Sequence, residues 1–288
     1  MTPGERANPP CHAILPACLA SINPINLFNS INSSPKPSAA TRPLPRAPIR
    51  HSLATMLPSV RFPVTICVLA YGPHVTLAER FLGSLYTHTD PALFWLRAGL
   101  NEVVPATRAL FEEYAAQFGN ITLYCEPTNI FKYPLMRRIF YETPLSTLWT
   151  IWCDDDTHFT RPDWLQRLGL KIESSPRAVM WGRPYVLWRR DKAVLDWIKA
   201  ATWYRGLRCV RGVNMDGKRA AEFRFATGGF WAIRSDVLRK LNWPDPRLLH
   251  TTGDFLLGEA LRQNRMLIGR FDSGVQINDS PTRGPHKP

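Results

Sequence analysis

Short apolar runs alternate with helix-spaced apolar positions along the chain from residue 63 onward. Runs rich in β-branched and aromatic residues are typical of strands that are buried on both faces of a parallel sheet. Four such runs predict strands, at residues 64–70, 94–97, 121–125 and 148–153. Gly72 and Pro73 follow the first run and predict its end.

Helical periodicity fills the intervals between these runs. Two stripes of apolar side chains have this spacing: Val75, Ala78, Leu82 and Leu85 form the first, and Val104, Thr107, Phe111, Tyr114 and Phe118 the second. Further helices are predicted at residues 133–141 and 164–168. The alternation predicts an α/β domain with a mostly parallel sheet flanked by helices, in which ligands bind at the carboxyl ends of the strands.

The first 58 residues differ in composition from the rest. They hold 11 of the 26 prolines, many Ser and Asn residues, and five basic residues against one acid. Such a segment buries too little apolar surface to offset its conformational entropy. We therefore expect a disordered tail over residues 1–58 and a globular domain over residues 59–288. The tail could be a transit peptide, or an extension ahead of a true start at Met56; we favour a tail without function.

The composition limits which binding partners and which cellular compartment we expect. Lys and Arg number 36 against 23 Asp and Glu, and the formal net charge of +13 favours anionic partners such as nucleotide phosphates or lipid headgroups. No run of about 18 apolar residues occurs, so no transmembrane helix is predicted. The six cysteines form no CxxC pair, which argues against a zinc cage or a dense disulfide scaffold. We expect a cytoplasmic protein that could contact a membrane surface peripherally.

Three consecutive acids, Asp154, Asp155 and Asp156, directly follow the fourth predicted strand. If the extended backbone continued, Asp154 and Asp156 would share one side and Asp155 would face the other. Paired carboxylates of this kind bind Mg²⁺ or Mn²⁺, hard cations that prefer oxygen ligands and bridge phosphates. Asp154 and Asp156 are therefore candidate metal ligands, and Asp155 could contact a ribose hydroxyl.

The alternative is a structural role for these acids at the start of the next helix. Asp156, or Asp163 after Arg161 and Pro162, could cap the helix that is predicted from Trp164. Because a cap needs one acid rather than three, we favour the metal-binding interpretation.

Four segments together resemble a glycosyltransferase of the GT-A fold, and family 2 in particular. VTICVLAYG at residues 64–72 is followed by Asn129, and the strand that ends in DDD corresponds to the family's DxD motif. ATGGFWAI at residues 226–233 resembles the GG-aromatic stretch before the acceptor site. GDFLLGEAL at residues 253–261 resembles the ED-x-x-L-G-x-x-L segment. The likeness spans roughly residues 63–279, and its strength lies in the order of the motifs.

The resemblance implies a Rossmann-like sheet, Mn²⁺ or Mg²⁺ on the acid triplet, and a nucleotide-sugar donor, with a UDP-sugar expected. It implies a glycan, lipid or protein acceptor. The residues that it places at the donor are Tyr71, Asn129, Arg137, Asp155, Gly228, Gly229 and Trp231. The chain departs from the family pattern where Gly253 replaces the usual Glu, and where Ala70-Tyr71-Gly72 replaces Thr-Tyr-Asn.

The resemblance also places Asp254 at the position of the catalytic base, with Glu259 as a second candidate. Asp254 follows a short polar stretch and opens a predicted helix. An Asp there is commonly a cap, and its pKa tends downward because the helix N-terminus favours negative charge. We favour the base, and a single base together with the resemblance implies inversion at the sugar carbon.

Two further features leave alternatives open. Trp231 could stack on a sugar ring, or Phe230 and Trp231 could alternate across a strand with one of them in the core. Residues 183–219 hold ten basic residues against three acids, with aromatic residues between them. This segment could face a phosphate-bearing acceptor, a membrane or RNA, but we favour an amphipathic helix with a solvated basic face.

The function predicted from the sequence is metal-dependent, inverting glycosyl transfer of the hexosyltransferase type, carried out by the domain at residues 59–288. One alternative is a nucleotidyltransferase or phosphotransferase, against which the lack of a Gly-rich loop after the first strand counts. Another is a non-catalytic basic binding module. No nucleic-acid-binding signature supports it, so nucleic acid is not an expected partner.

Overall fold

The computed structural model of the protein describes residues 63–189, 192–208, 210–213 and 219–277. The predicted tail at residues 1–58 lies outside these residues, as does part of the basic segment. The described strands are β1 (Val64–Tyr71), β2 (Phe94–Asn101), β3 (Ile121–Glu126), β4 (Trp149–Asp154), β5 (Thr157–Phe159), β6 (Ala178–Arg189), β7 (Val210–Val213), β8 (Arg219–Arg234), β9 (Leu267–Arg270) and β10 (Val275–Ile277).

Helices alternate with the first strands, as the periodicity predicted. They are α1 (Val75–His88), α2 (Pro105–Phe118), α3 (Lys132–Tyr141), α4 (Trp164–Ser174), α5 (Lys192–Lys199), α6 (Ser235–Leu241) and α7 (Gly253–Gln263), with a short 3-10 turn at Pro91–Leu93. The four predicted strands and four predicted helices are confirmed. β2 continues beyond residue 97 because residues 98–101 pair with β1 and β3, and α4 continues beyond residue 168 because Ile172 packs against the core.

An eight-stranded sheet organises the described residues, in the order β3-β2-β1-β4-β8-β6-β9, with β7 paired to β8. The pairs β3-β2, β2-β1, β1-β4 and β6-β9 are parallel. β8 runs antiparallel to β4, β6 and β7. The predicted α/β fold with a mostly parallel sheet is thus confirmed, and β8 is the strand at which the direction reverses. A separate pair, β5 and β10, is antiparallel.

The sheet separates two apolar cores, because successive side chains of a strand point to opposite faces. In β4, Trp152 packs into one core and Cys153 into the other. In β8, Trp231 lies in the core of Trp152 and Phe230 in that of Cys153. The register pairs Trp152 with Trp231 and Cys153 with Phe230, which brings the GG-aromatic stretch beside the acid triplet.

Among the described residues, the amphipathic helix that we favoured for the basic segment is present only as the eight-residue α5. The segment's other described residues form the later part of β6, the turns after α5, β7 and the start of β8. Antiparallel pairing of β6 with β8, which lies far along the chain, overrides the local helical pattern. Val186 and Trp188 on β6 remain 48% and 40% exposed. None of the helices in the described segments is long and apolar enough to cross a membrane.

Candidate active site

The carboxyl ends of β1, β2 and β4 meet at one edge of the sheet. The register pairs Tyr71 with Asn101 and Leu69 with Asp154. Asn101 donates from Nδ2 to Oδ1 of Asn129 over 2.8 Å, and its own Oδ1 accepts from the backbone N–H of the residue after Asn129 over 3.0 Å. The predicted donor residues Tyr71 and Asn129 therefore both lie at this edge. The sequence interpretation missed Asn101, because it ended the second strand at residue 97, whereas β2 continues to Asn101.

The acid triplet does not continue the strand. β4 ends at Asp154, and the next two residues form a turn into β5. The extended backbone assumed for the triplet therefore ends at Asp154, and alternation along a strand does not place Asp156. Asp155 and Asp156 are each only 2% exposed, whereas the side chain of Asp154 is 26% exposed. Arg80 donates to the backbone oxygen of Asp156 over 3.1 Å and helps to hold the turn.

Lys132, the first residue of α3, ion-pairs with Asp154. Its Nζ lies 2.8 Å from Oδ1 and 3.1 Å from Oδ2 of that carboxylate. The indole N–H of Trp152 donates to the same Oδ1 over 3.0 Å. The Lys132 ammonium also lies 5.7 Å from the centre of the Trp152 ring. Asp154 is thus fixed by two donors, one charged and one anchored in the core.

The sequence interpretation missed Lys132 altogether. A lysine just ahead of a predicted helix looks like any surface lysine, and only the fold brings it to the end of β4. Burial by itself would lower the pKa of Lys132, but the carboxylates of Asp154, Asp254 and Asp156 outweigh it and raise that pKa. The lysine is therefore charged, and three acids face it.

Asp254 lies in the first turn of α7 and also faces this group. It is not the cap of the helix: Thr252 occupies that position and makes no side-chain cap hydrogen bond. Burial raises the pKa of Asp254 to about 6, with the charge of Lys132 acting to lower it and that of Asp154 to raise it further. The expected downward shift is wrong, because loss of hydration outweighs the helix N-terminus.

The two glycines of the GG-aromatic stretch make room for other parts of the protein. A Cβ on Gly228 would lie 2.2 Å from Oδ2 of Asp254, so the carboxylate sits directly against the β8 backbone. A Cβ on Gly229 would lie 2.5 Å from Cγ2 of Ile277 in β10. Gly228 therefore contacts the candidate base itself, and Gly229 seats β10.

The position of Gly253, where the chain departs from the motif that it resembles, has no room for a side chain. A Cβ at this position would lie 2.1 Å from both Cζ and Oη of Tyr133. Tyr133 is 3% exposed and packs edge-on against Trp243 at a centroid distance of 6.4 Å. Burial raises the pKa of the Tyr133 hydroxyl well above its usual range, and the charges of Asp254 and Asp154 raise it further. A neutral phenol therefore fills the space that a side chain at residue 253 would need.

Three of the predicted site residues, Trp231, Arg137 and Glu259, make packing or hydrogen-bond contacts that stabilise the fold. Trp231 is 1% exposed and stacks on Trp152 with centroids 6.1 Å apart, so the core alternative applies to it. Arg137 donates to the backbone oxygen and side chain of Asn242 after α6, over 3.2 and 3.1 Å, and also to the backbone oxygen of Pro244.

Glu259 also belongs to the framework. It is 1% exposed, and it pairs with Arg262 over 2.7 Å and accepts from Gln263 over 2.7 Å. Gln263 in turn donates to the backbone oxygen of Leu207 over 2.6 Å, so this network fastens the segment after α5 to α7.

The capping alternative for the acid triplet finds no support at α4. Asp163 precedes that helix but makes no side-chain cap hydrogen bond. It pairs instead with Arg161 over 2.9 Å and with Arg167 over 2.7 Å. These two arginines lower the pKa of Asp163 to about 2.

A divalent cation fits this site only if substrate phosphates supply part of its ligands. The described residues contain no group of three or more His, Cys, Asp or Glu side chains that could hold a metal ion. Mg²⁺ and similar cations are, however, commonly held by one or two carboxylates together with substrate phosphates. Asp154 suits that mode, because its carboxylate is partly exposed at the strand-end edge. The carboxylate of Asp156, buried in the turn, suits it less well.

Comparisons with known proteins identify the fold. No family model and no curated protein matches the sequence. Among solved structures, the mannosyltransferase PcManGT from Pyrobaculum calidifontis, in complex with GDP-Man and Mn²⁺, matches with a TM-score of 0.53 and 14% identity over 79% of this chain and 60% of that chain. TarS of S. aureus matches with a TM-score of 0.50 and 11% identity over 74% of this chain and 35% of that chain.

The chain therefore has the GT-A fold of such glycosyltransferases, as its motifs predicted. At these identities the similarity concerns the fold. The chain also spans less than two thirds of the length of either solved chain.

Proposed function

We propose that the protein is a glycosyltransferase that moves a hexosyl group from a nucleoside-diphosphate sugar to an acceptor hydroxyl with inversion. One observation carries this proposal. The carboxylate of Asp254 lies against Gly228 at the strand-end edge, in the same charged group as Asp154 and Lys132, and has a pKa near 6. A carboxylate with that pKa is well matched to general-base work near neutral pH.

The roles of the residues follow from their positions. Asp254 accepts the proton of the attacking hydroxyl, on the side of the sugar away from the leaving diphosphate. Lys132 supplies positive charge near Asp154, where negative charge develops as the diphosphate leaves. Tyr71, Asn101 and Asn129 line the edge on the nucleotide side. Asp155 and Asp156 shape the turn beneath it.

The donor and the metal belong to the proposal as well. PcManGT, which shares the fold, was solved with GDP-Man and Mn²⁺, so a GDP-sugar joins the UDP-sugar as a candidate donor. A divalent cation, when bound with the donor, would act as a Lewis acid on the diphosphate. Asp154 is the residue that would hold it, with Asp156 as the second candidate.

The test is a calorimetric titration of the full chain with UDP and with GDP in the presence of Mn²⁺. For whichever nucleotide binds, consumption of the matching donor, UDP-GlcNAc or GDP-Man, is then measured as released UDP or GDP. Donor consumption can be measured without a known acceptor, because water can serve as the acceptor. We expect Asp254→Asn to bind the nucleotide but to consume the donor about 10²-fold or more slowly, because the general base is lost.

The matched control is Asp272→Asn, which removes an exposed carboxylate that pairs with Arg270 outside the site. It should leave donor consumption unchanged. The proposal is wrong if neither nucleotide binds the wild-type chain, or if Asp254→Asn consumes the donor as fast as wild type.

A further inference from the structure

The Asp154 carboxylate already has a cationic partner. Both of its oxygens lie within 3.1 Å of the Lys132 ammonium, and Oδ1 also accepts from the indole of Trp152. The side chain of Lys132 is only 15% exposed, and its ammonium lies over the Trp152 ring. The lysine is therefore placed by the fold, and it does not sample the surface freely.

A divalent cation that binds Asp154 must compete with this lysine. Both need the same oxygens, and two cations on one carboxylate repel each other strongly in a partly buried site. The repulsion falls if the ammonium can move to another anion. The diphosphate of a donor that arrives with the metal is such an anion, since an ammonium on a flexible stem is a common partner of phosphate.

We propose that Lys132 keeps free divalent cations off Asp154 and gives up that carboxylate only when a nucleoside diphosphate enters with the metal. This inference rests on the proposed function for the identity of the ligand. Metal and nucleotide then bind with positive coupling, and by linkage each raises the affinity of the other by the same factor. Lys132 is thus a positioning residue that makes the metal arrive as a nucleotide complex.

The exclusion of free metal is tested without nucleotide and without turnover. Tb³⁺, a hard cation with oxygen ligands, would lie close to the Trp152 indole if it bound Asp154, and tryptophan excitation would sensitise its luminescence. We expect weak binding of Tb³⁺ to the full wild-type chain. Lys132→Met, which keeps the apolar stem, should bind it about tenfold or more tightly, because a nearby opposite charge changes proton affinity by about 10- to 1,000-fold.

Three variants make the readout specific. Lys132→Arg keeps the charge and should bind Tb³⁺ as weakly as wild type. Lys171→Met removes an exposed lysine of α4 and should also behave like wild type. The double variant Lys132→Met/Asp154→Asn should lose the gain, which shows that the luminescence comes from Asp154 and not from another of the ten tryptophans.

The coupling is measured on the wild-type chain by titrating Mn²⁺ with and without saturating UDP or GDP. We expect the nucleotide to raise Mn²⁺ affinity about tenfold or more, and Lys132→Met to show a smaller factor. Tight Tb³⁺ binding by wild type that is lost in Asp154→Asn would overturn the proposal, even if Lys132→Met does not fold. Equal Tb³⁺ affinity of wild type and a folded Lys132→Met would overturn it too.

The two proposals fail in different ways. If neither UDP nor GDP binds but Lys132→Met gains Tb³⁺ at Asp154, the proposed function is wrong while the exclusion of free metal stands. If a nucleotide binds and Mn²⁺ affinity does not change with it, the coupling is wrong and the proposed function stands.

Discussion

Burial raises the pKa of Asp254, whose carboxylate lies against Gly228 of β8. The charge of Lys132 on α3 lowers this pKa, and that of Asp154 on β4 raises it. The helix N-terminus next to Asp254 would act in the opposite direction. At this residue, loss of hydration dominates, which agrees with the base that we favoured over the cap from the sequence.

The pH dependence of donor consumption follows from this pKa. The base must be deprotonated, so the rate at saturating donor should fall as pH drops through about 6. Lys132→Met removes the positive charge that lowers the pKa of Asp254, so its acidic limb should lie at higher pH. Initial rates measured across pH about 3 to about 9 check both points. A wild-type limb at the ordinary Asp value near 3.8 would contradict the assignment.

The contact between Gly228 and Asp254 gives a second prediction. Gly228→Ala places a methyl group 2.2 Å from Oδ2 of Asp254, so the carboxylate must move. A displacement of about 1 Å costs about 10²-fold in rate when a catalytic group is misplaced. We expect that loss in donor consumption with nucleotide binding retained by calorimetry. Unchanged turnover in a folded Gly228→Ala would show that the position of Asp254 does not matter.

At the scale of elements, α7 packs on α3 through the contact between Gly253 and Tyr133. Gly253 has no side chain, and the Tyr133 ring takes the space. Gly228 and Gly229 likewise leave space for Asp254 of α7 and for Ile277 of β10. The glycines at the site are therefore explained by packing between protein elements.

Gly253→Ala should destabilise the fold by about 1–3 kcal/mol, because overpacking forces the buried Tyr133 ring to shift. The matched control is Gly83→Ala in α1, where an added Cβ meets nothing within 4 Å. That change should stabilise the protein by about 0.5–1 kcal/mol, since alanine favours a helix over glycine. Urea unfolding of both variants checks the pair. Equal stability of the two would refute the steric account of Gly253.

At the scale of the whole molecule, the site joins elements from both halves of the sheet. One half is β3, β2, β1 and β4, and the other is β8, β6 and β9. Lys132 comes from α3, Asp154 from β4, Gly228 from β8 and Asp254 from α7, and the antiparallel pairing of β4 with β8 holds them together. Opening either half of the sheet would therefore take the site apart, so bound nucleotide should stabilise the entire unit.

This predicts a shift of the whole unfolding transition by nucleotide. At a UDP or GDP concentration of 100 times the dissociation constant, the free energy of unfolding should rise by about 2.7 kcal/mol. Urea unfolding followed by tryptophan fluorescence measures it, and Trp152 and Trp231 report on the two central strands. A transition that splits into two steps, with only one of them shifted by nucleotide, would contradict a site shared by both halves.

Much of the fold could be read from local patterns. Each predicted strand and helix up to residue 168 is present, because the apolar period of a segment is a local property that tertiary contacts reinforce here. The helix that we favoured for residues 183–219 is present only at α5, and the later residues of β6 are strand because β8 supplies a distant pairing partner that no local period reveals.

The sequence by itself determined the four strands and four helices predicted up to residue 168, the placement of Asp154 at a strand end and the GT-A motifs, because these depend on residues close together in the chain. Tertiary structure alone decided that Lys132 pairs with Asp154, that Tyr133 fills the place of a side chain at 253 and that Trp231 lies in the core. It also decided the direction of the Asp254 pKa shift. Burial and charge at a site are set by neighbours that folding brings from distant segments, and a linear pattern does not specify which neighbours those are.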